Sequence, residues 1–262
     1  MIKACIFDLG GTIVDKYSLT PFLTLKKIFA NKKIHVNNNL IFKDMGIDKR
    51  DHIFKIISHK NISKQWSTIN GEYPDEFDIH NLFNDFKRIQ SDYCKNLMTI
   101  LPETPDCIEY LKRNKILIGS TTGFNRENME IIKKKLEFHN LSLDSYVSST
   151  CLNKHSRPYP YMIQENMNLL NIHNPRSIIK IDDTAVGIQE GQNANCWTVG
   201  VARWSINMNI YTIDDAYSLE LHELQDNLKR SRKKLVEYYS YLISDLIRIS
   251  LNLNPNKNKT LK

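Results

Sequence analysis

The stretch "IFDLGGTIVD", residues 6–15, decides the fold. Ile6 and Phe7 are apolar neighbours that suit a strand buried on both faces, and Gly10 and Gly11 turn the chain straight after it. Asp8 is thereby delivered to a strand's carboxyl end, where α/β sheets bind their ligands.

Other short apolar runs share this texture: "KILIGS" (115–120), "SYVSS" (145–149), "SIIKID" (177–182) and "CWTVGV" (196–201). Helical periods lie between them. Residues 105–113 group Ile108, Tyr110 and Leu111, residues 126–138 group Met129, Ile132 and Leu136, and residues 160–170 group Met162, Met167, Leu169 and Leu170. Strand–helix alternation predicts an α/β fold with a Rossmann-like parallel sheet core flanked by helices. Residues 16–99 break the alternation and read as helices alone, in "PFLTLKKIFA", "DHIFKIISHK" and a long helix from Asp75. The domain reading is therefore a core of 1–15 and 100–262, with an inserted all-helical cap of 16–99. Past residue 215 the chain reads as helix followed by a disordered tail.

Composition excludes some classes of function. The net charge of +7 invites a polyanion partner, but "KRSRKK" (229–234) carries five of the positive charges and "NPNKNKTLK" three more. Without those eight the chain stands at −1, so a nucleic-acid partner is not expected. No apolar run approaches the roughly 20 residues of a membrane span, and the N-terminal stretch lacks the pattern of a secretory signal. Five cysteines without a CxxC pair suit reduced thiols in a cytoplasm.

The strand ends gather the chemistry. "STTGF" (120–124) offers hydroxyls and the Gly123 amide to phosphate oxygens, with Thr122 as the leading candidate. Arg157 of "SRPYP" has a guanidinium whose fork fits two phosphoryl oxygens. "IDDT" sets Asp182 and Asp183 at a further strand end, where one of them can join Asp8 around a divalent cation through hard oxygen ligands. Thr184, following Asp183, favours Asp183 by register, since neighbours on a strand face opposite ways.

This ordered set resembles the haloacid dehalogenase superfamily of aspartate-nucleophile hydrolases, and within it the phosphonatases. The finer likeness rests on "MGIDKRDH" (45–52), "IGSTTGFNRENM" (118–129), "RPYPYM" (157–162) and "EGQNANCWTVGV" (190–201). The resemblance implies that Lys49 is a Schiff-base lysine in the cap and that Met45 belongs to the cap motif at the substrate. It implies Mg²⁺ held by Asp8, the Gly10 carbonyl and Asp183, with Arg157, Thr122 and Gly123 holding the phosphoryl group. A homodimer is expected on the same ground, and "PFLTLKKIFA" is a segment that can pair two caps. Family members usually have an acidic residue at the position of Gly187, a glycine at that of Asp182 and often a tyrosine at that of Phe124.

Gly10 then acquires a meaning. Ordinary phosphatases of the superfamily carry an aspartate there to protonate a departing alkoxide. Cleaving the carbon–phosphorus bond of phosphonoacetaldehyde releases a carbanionic fragment instead, and an iminium on Lys49 takes up that electron pair. His52, three residues on, shares the face of Lys49 on a helix and is a candidate proton shuttle. Two alternatives stand beside this small-molecule phosphonate reading: a phosphomonoesterase of the same superfamily, and a non-catalytic binding protein that keeps the scaffold.

Overall fold

A computed structural model describes residues 1–152, 155–236 and 241–243. Strand β1 (Ala4–Phe7) is followed by five helices: α1 (Leu19–Asn31), α2 (Asn38–Lys43), α3 (Lys49–Ile57), α4 (Lys60–Asn70) and α5 (Glu76–Asn96). The chain continues through α6 (Thr104–Arg113), β2 (Leu117–Thr122), α7 (Arg126–Phe138), β3 (Ser145–Ser148) and α8 (Tyr161–Leu169). It ends in β4 (Ile178–Asp182), α9 (Ala185–Asn193), β5 (Trp197–Val201), α10 (Ile213–Ser218), α11 (Leu221–Val236) and β6 (Tyr241–Ile243).

The six strands form one sheet in the order β3-β2-β1-β4-β5-β6, every pairing parallel. β1 lies central, with Phe7 level with Ser120 of β2 and Ile181 of β4. One step further along this register stand Thr121, Asp8 and Asp182, so the carboxyl edge of the three central strands carries one polar row. The amide of Asp8 donates to Ile181 O at 2.8 Å, which holds that row in line.

Helices cover both faces. Phe7, Leu9, Ile118, Ile181 and Val201 share one apolar cluster with Ile108 and Leu111 of α6 and with Met129, Ile132 and Leu136 of α7. Ala4, Ile6 and Ile178 pack against Ile163 of α8 on the other side. The helices between β1 and α6 share a second apolar cluster, in which Phe22, Leu25, Ile28, Ile53, Leu82 and Phe86 meet Trp204, Ile206 and Met208 from the segment after β5. Phe22 of α1 packs there against Phe42 of α2 and Tyr211.

Three details of the sequence reading change. "DHIFKIISHK" is not one helix: α3 stops at Ile57 and α4 starts at Lys60. The segment past 215 is not helix alone, because β6 adds a parallel strand beside β5; the expected tail lies outside the described residues. On α8, Leu169 is exposed while Ile163 and Asn166 turn inward, since Asn166 donates to Ser120 O at 2.9 Å. Among the described residues no helix is long and apolar enough to cross a membrane.

The polar row depends on β4 being seated rigidly. Ile181→Ala, a fully buried side chain directly before the two aspartates, is expected to cost about 2–5 kcal/mol of stability in chemical denaturation. A change within a few tenths of a kcal/mol would show that the central strands are not the anchor.

Candidate active site

Asp8 sits at the floor of a cavity also lined by Gly10, Thr122, Gly123 and Arg157 from the core, and by Met45, Gly46 and Lys49 from the cap. Two glycines bring the cap this close. Gly46 adopts φ +96°, which other residues rarely take, and a Cβ there would lie 2.6 Å from Val186. A Cβ at Gly123 would lie 3.4 Å from Gly46 O, so bare backbone faces bare backbone where cap meets core. The Met45–Asp48 loop that results starts α3, and its Ile47 carbonyl accepts a hydrogen bond from Lys49 Nζ at 3.3 Å.

Beneath the cavity lies a buried charge network. Arg157 Nη2 donates to Asp8 Oδ1 at 2.8 Å, and its Nε donates to Glu190 Oε2 at 2.9 Å. Nη2 also reaches the Thr121 carbonyl at 2.8 Å and the Thr121 hydroxyl at 2.7 Å. Lys180 Nζ contacts Asp182 Oδ2 at 2.9 Å and donates to Thr121 Oγ1 at 2.6 Å, while that hydroxyl donates to Glu190 Oε2 at 3.0 Å. Asp182, Asp8 and Glu190 hold the Arg157 guanidinium firmly protonated against the cost of its burial.

The two adjacent aspartates have separate occupations. Asp182 accepts from the Thr184 amide at 2.9 Å and its hydroxyl at 2.7 Å. Although burial opposes its charge, Lys180 and Arg157 hold its carboxyl below the usual range. Asp183 has no such cation. Its contacts are the Ile206 amide at 3.3 Å and the Thr12 hydroxyl at 3.5 Å, and burial, with Asp8 and Asp182 nearby, pushes its carboxyl well above the usual range. Asp8 is pushed up to about 6, by burial first, with Arg157 pulling it down and Asp182 pushing it up.

Asp8, Asp182 and Asp183 each offer an oxygen within 4.8 Å of the others. With Glu190 the cluster has four carboxylates, and among the described residues Arg157 and Lys180 are the cations paired with Asp8, Asp182 and Glu190. That excess of hard oxygen and negative charge fits a divalent cation, with Asp8 and Asp183 as the carboxylates left to hold it. Gly11 belongs to the same cradle, because at φ +73° a Cβ on it would come within 2.5 Å of Asp183 Oδ2.

Lys49 lies on the opposite wall, almost wholly buried. Burial lowers its ammonium to about 8, while Asp48 and Asp8 pull it back up and Arg157 presses it down. The resulting free-amine fraction near neutrality exceeds that of an exposed lysine roughly 300-fold. His52 is fully buried on the same helix but does not line the cavity. Burial and then the Lys49 charge push it down to about 3, so its imidazole is neutral. At Gly10 an added Cβ would stand 3.4 Å from the Phe124 ring. The place where an acid would reach into the cavity is flanked by an aromatic side chain.

Of the residues that sequence reasoning singled out, Asp8, Gly10, Met45, Lys49, Thr122, Gly123 and Arg157 line this one cavity, whereas Asp183 and His52 do not. That reasoning missed Thr121 and Glu190, which hold Arg157, and Ser18, Pro21 and Ile206, which complete the wall. For Glu190 one signal was available: an acid beside Gly191 on a helix packed against the sheet.

Residues 5–201 match the haloacid dehalogenase-like hydrolase family. The chain belongs to that family. Among its relatives, the phosphonoacetaldehyde hydrolase of Bacillus cytotoxicus is 29% identical over 247 residues, covering 94% of this chain and 93% of the relative. A phosphonoacetaldehyde hydrolase of Bacillus cereus (strain B4264) is 32% identical over 236 residues, covering 90% and 89%. The crystal structure of a phosphonoacetaldehyde hydrolase-like protein from Oleispira antarctica superposes with a TM-score of 0.89 at 26% identity, over 97% of this chain and 92% of that one.

Competitive acetylation across pH, read by peptide mass spectrometry, is expected to show Lys49 becoming reactive with a midpoint near 8. The exposed lysines should follow at about 10.4. If Lys49 titrates with them, the buried placement of its amine is wrong.

Proposed function

We propose that this chain hydrolyses the carbon–phosphorus bond of phosphonoacetaldehyde to acetaldehyde and phosphate. The observation that carries the reading is the placement of a buried, readily deprotonated Lys49 across one cavity from Asp8, with no acidic side chain at position 10. Similarity to phosphonoacetaldehyde hydrolases at about 30% identity over most of the chain supports it.

Lys49 Nζ, as the free amine, adds to the substrate aldehyde, and the carbinolamine takes up a proton from solvent and loses water to give an iminium. Asp8 attacks phosphorus; the C–P electron pair moves into the iminium and leaves an enamine on Lys49. Water then cleaves the aspartyl phosphate, restoring Asp8 and releasing phosphate. The enamine takes a proton at carbon, and a second water frees acetaldehyde and Lys49. No step protonates an oxygen leaving group on phosphorus, so the bare Gly10 costs C–P cleavage nothing.

Arg157, fixed by Glu190 and Thr121, is placed to hold phosphoryl oxygens beside Asp8, with the Thr122 hydroxyl and the Gly123 amide at the same strand end. Asp8 and Asp183, with the Gly10 carbonyl, would hold Mg²⁺, which offsets the repulsion between carboxylate and phosphonate when bound. His52, the shuttle expected from the sequence, lies outside the cavity lining and is held neutral by burial, so it takes no part in the steps above. Met45 closes the apolar side of the cavity around the aldehyde.

Incubation with phosphonoacetaldehyde and Mg²⁺ should release phosphate, and borohydride should leave a reduced two-carbon adduct on Lys49. Lys49→Arg keeps the charge but forms no imine, and is expected to lower turnover by more than about 1,000-fold, which is some 4 kcal/mol of barrier. Hydrolysis of p-nitrophenyl phosphate that survives Lys49→Arg, without C–P cleavage by the unaltered protein, would identify a phosphomonoesterase instead.

A further inference from the structure

The chain crosses between core and cap twice, and the two crossings are bonded to each other. Asp15 N donates to Thr99 O at 2.8 Å and Leu101 N donates to Ile13 O at 3.0 Å, so the crossings run side by side as a short antiparallel ribbon. Past the ribbon the outgoing crossing is held in an unusual shape. Asp15, Tyr17 and Ser18 take φ of +60°, +60° and +51°. A bulky residue such as tyrosine keeps that left-handed backbone only where its surroundings impose it. For Tyr17 the surroundings include Trp204, whose ring lies 5.4 Å from the tyrosine ring, and both side chains are buried.

Trp204 belongs to neither crossing, since it follows β5, yet it touches both. Its Nε1 donates to Glu103 Oε2 at 2.8 Å, where the returning crossing enters α6. Lys16 Nζ stands 5.3 Å from its ring and the Arg203 guanidinium 4.9 Å, so two cations are drawn to the indole face. The next two residues reach the site. Ser205 Oγ donates to Asp183 O at 2.8 Å, and Ile206 lines the cavity together with Ser18. One side chain thus joins the outgoing crossing, the returning crossing and the loop beside the floor.

We propose that Trp204 is a positioning residue that seats the cap on the core and so sets where the Lys49 amine stands over Asp8. The ribbon fixes the crossings relative to each other but leaves the cap free to tilt about it as a unit. A contact off the ribbon that ties both crossings to a core loop removes that freedom. The charge network of the floor is built from Arg157, Thr121, Lys180, Asp182 and Glu190, and uses neither Trp204 nor Tyr17. Loss of the indole therefore loosens the lid and spares the floor. The inference deepens the reading in which Lys49 condenses with a substrate held at Asp8, and rests on it for the effect on turnover.

Two variants of the full chain test it. Trp204→Leu removes the indole. Tyr17→Gly removes only the facing ring and suits the left-handed backbone, so it keeps the comparison open if Trp204→Leu fails to fold. In both, Lys49 gains water, and its acetylation midpoint is expected to rise from near 8 by about one pH unit or more, toward the roughly 10.4 of an exposed lysine. Turnover of phosphonoacetaldehyde should fall about 100-fold, as for a 1 Å misplacement, while calorimetric affinity for inorganic phosphate with Mg²⁺ stays within about three-fold. The double variant should go no further than Trp204→Leu alone, because both changes remove one contact.

A midpoint that stays near 8 in both variants overturns the positioning role. So does a phosphate affinity that falls together with the rise in midpoint, since the whole fold has then loosened. Shifts that add in the double variant overturn the Tyr17 contact as the means. If the unaltered protein leaves phosphonoacetaldehyde intact, the substrate reading fails, while the midpoint and phosphate comparisons still decide the role of Trp204.

Discussion

The contact on which the rest depends is the buried pair between Arg157 and Asp8, 2.8 Å apart at the carboxyl edge of the sheet. Taking two such ions out of water costs several kcal/mol each, and stripping one of its partner costs about 3–5 kcal/mol. The pair persists because every neighbouring element adds a matching group. β2 supplies the Thr121 carbonyl and hydroxyl, β4 supplies Lys180 and Asp182, and α9 supplies Glu190. Closing the core and assembling the floor of the site are consequently one event. A sheet with β4 out of register would bury unmatched charge at its centre.

The two walls of the cavity treat charge in opposite ways. On the floor, buried ions are kept by pairing, so Arg157 stays cationic and Asp182 anionic. On the cap side, Lys49 has no ion-pair partner within contact distance among the described residues, and burial, with Arg157 adding to it, lowers its ammonium to about 8. Its place at the first position of α3, where the helix dipole disfavours a cation, acts in the same direction. The floor thus suits a fixed anion such as a phosphoryl group, and the lid suits a nucleophilic amine. Gly10, with the Phe124 ring beside it, leaves this part of the wall without an acid.

How much of this could be read from residues alone varied with the physics. Asp8 and Asp183 were visible because strand ends followed by turn or cap residues have a local pattern, and strand ends in a parallel sheet are where ligands bind. Lys49 was visible only through resemblance, since its surroundings in sequence look like any solvated helix start. The roles of Thr121 and Glu190 in holding Arg157 were not read: helical period marks apolar residues as buried and says nothing of an acid that burial tolerates because two cations lie beside it. The break between α3 and α4 was hidden by isoleucines spaced as in one continuous helix. β6 was hidden by the long helix before it, and a strand that adds to an existing edge needs no helix-to-strand signal beyond "YLI".

The adjacent aspartates show how a fold selects one carboxylate for chemistry. Side chains two apart on a strand share a face, so Lys180 and Asp182 meet by period alone, at 2.9 Å. Asp183 comes one residue later and is turned away from that lysine, into the loop where the Ile206 amide and the Thr12 hydroxyl receive it. Both groups are buried to the same degree, so burial does not distinguish them. Pairing does: one is neutralised by its own strand, and the other shares a cluster with Asp8, whose charge adds to the cost of ionising it. A carboxylate left in that condition gains more from a divalent cation than one already paired. Reactivity here follows from which charge the scaffold declines to satisfy.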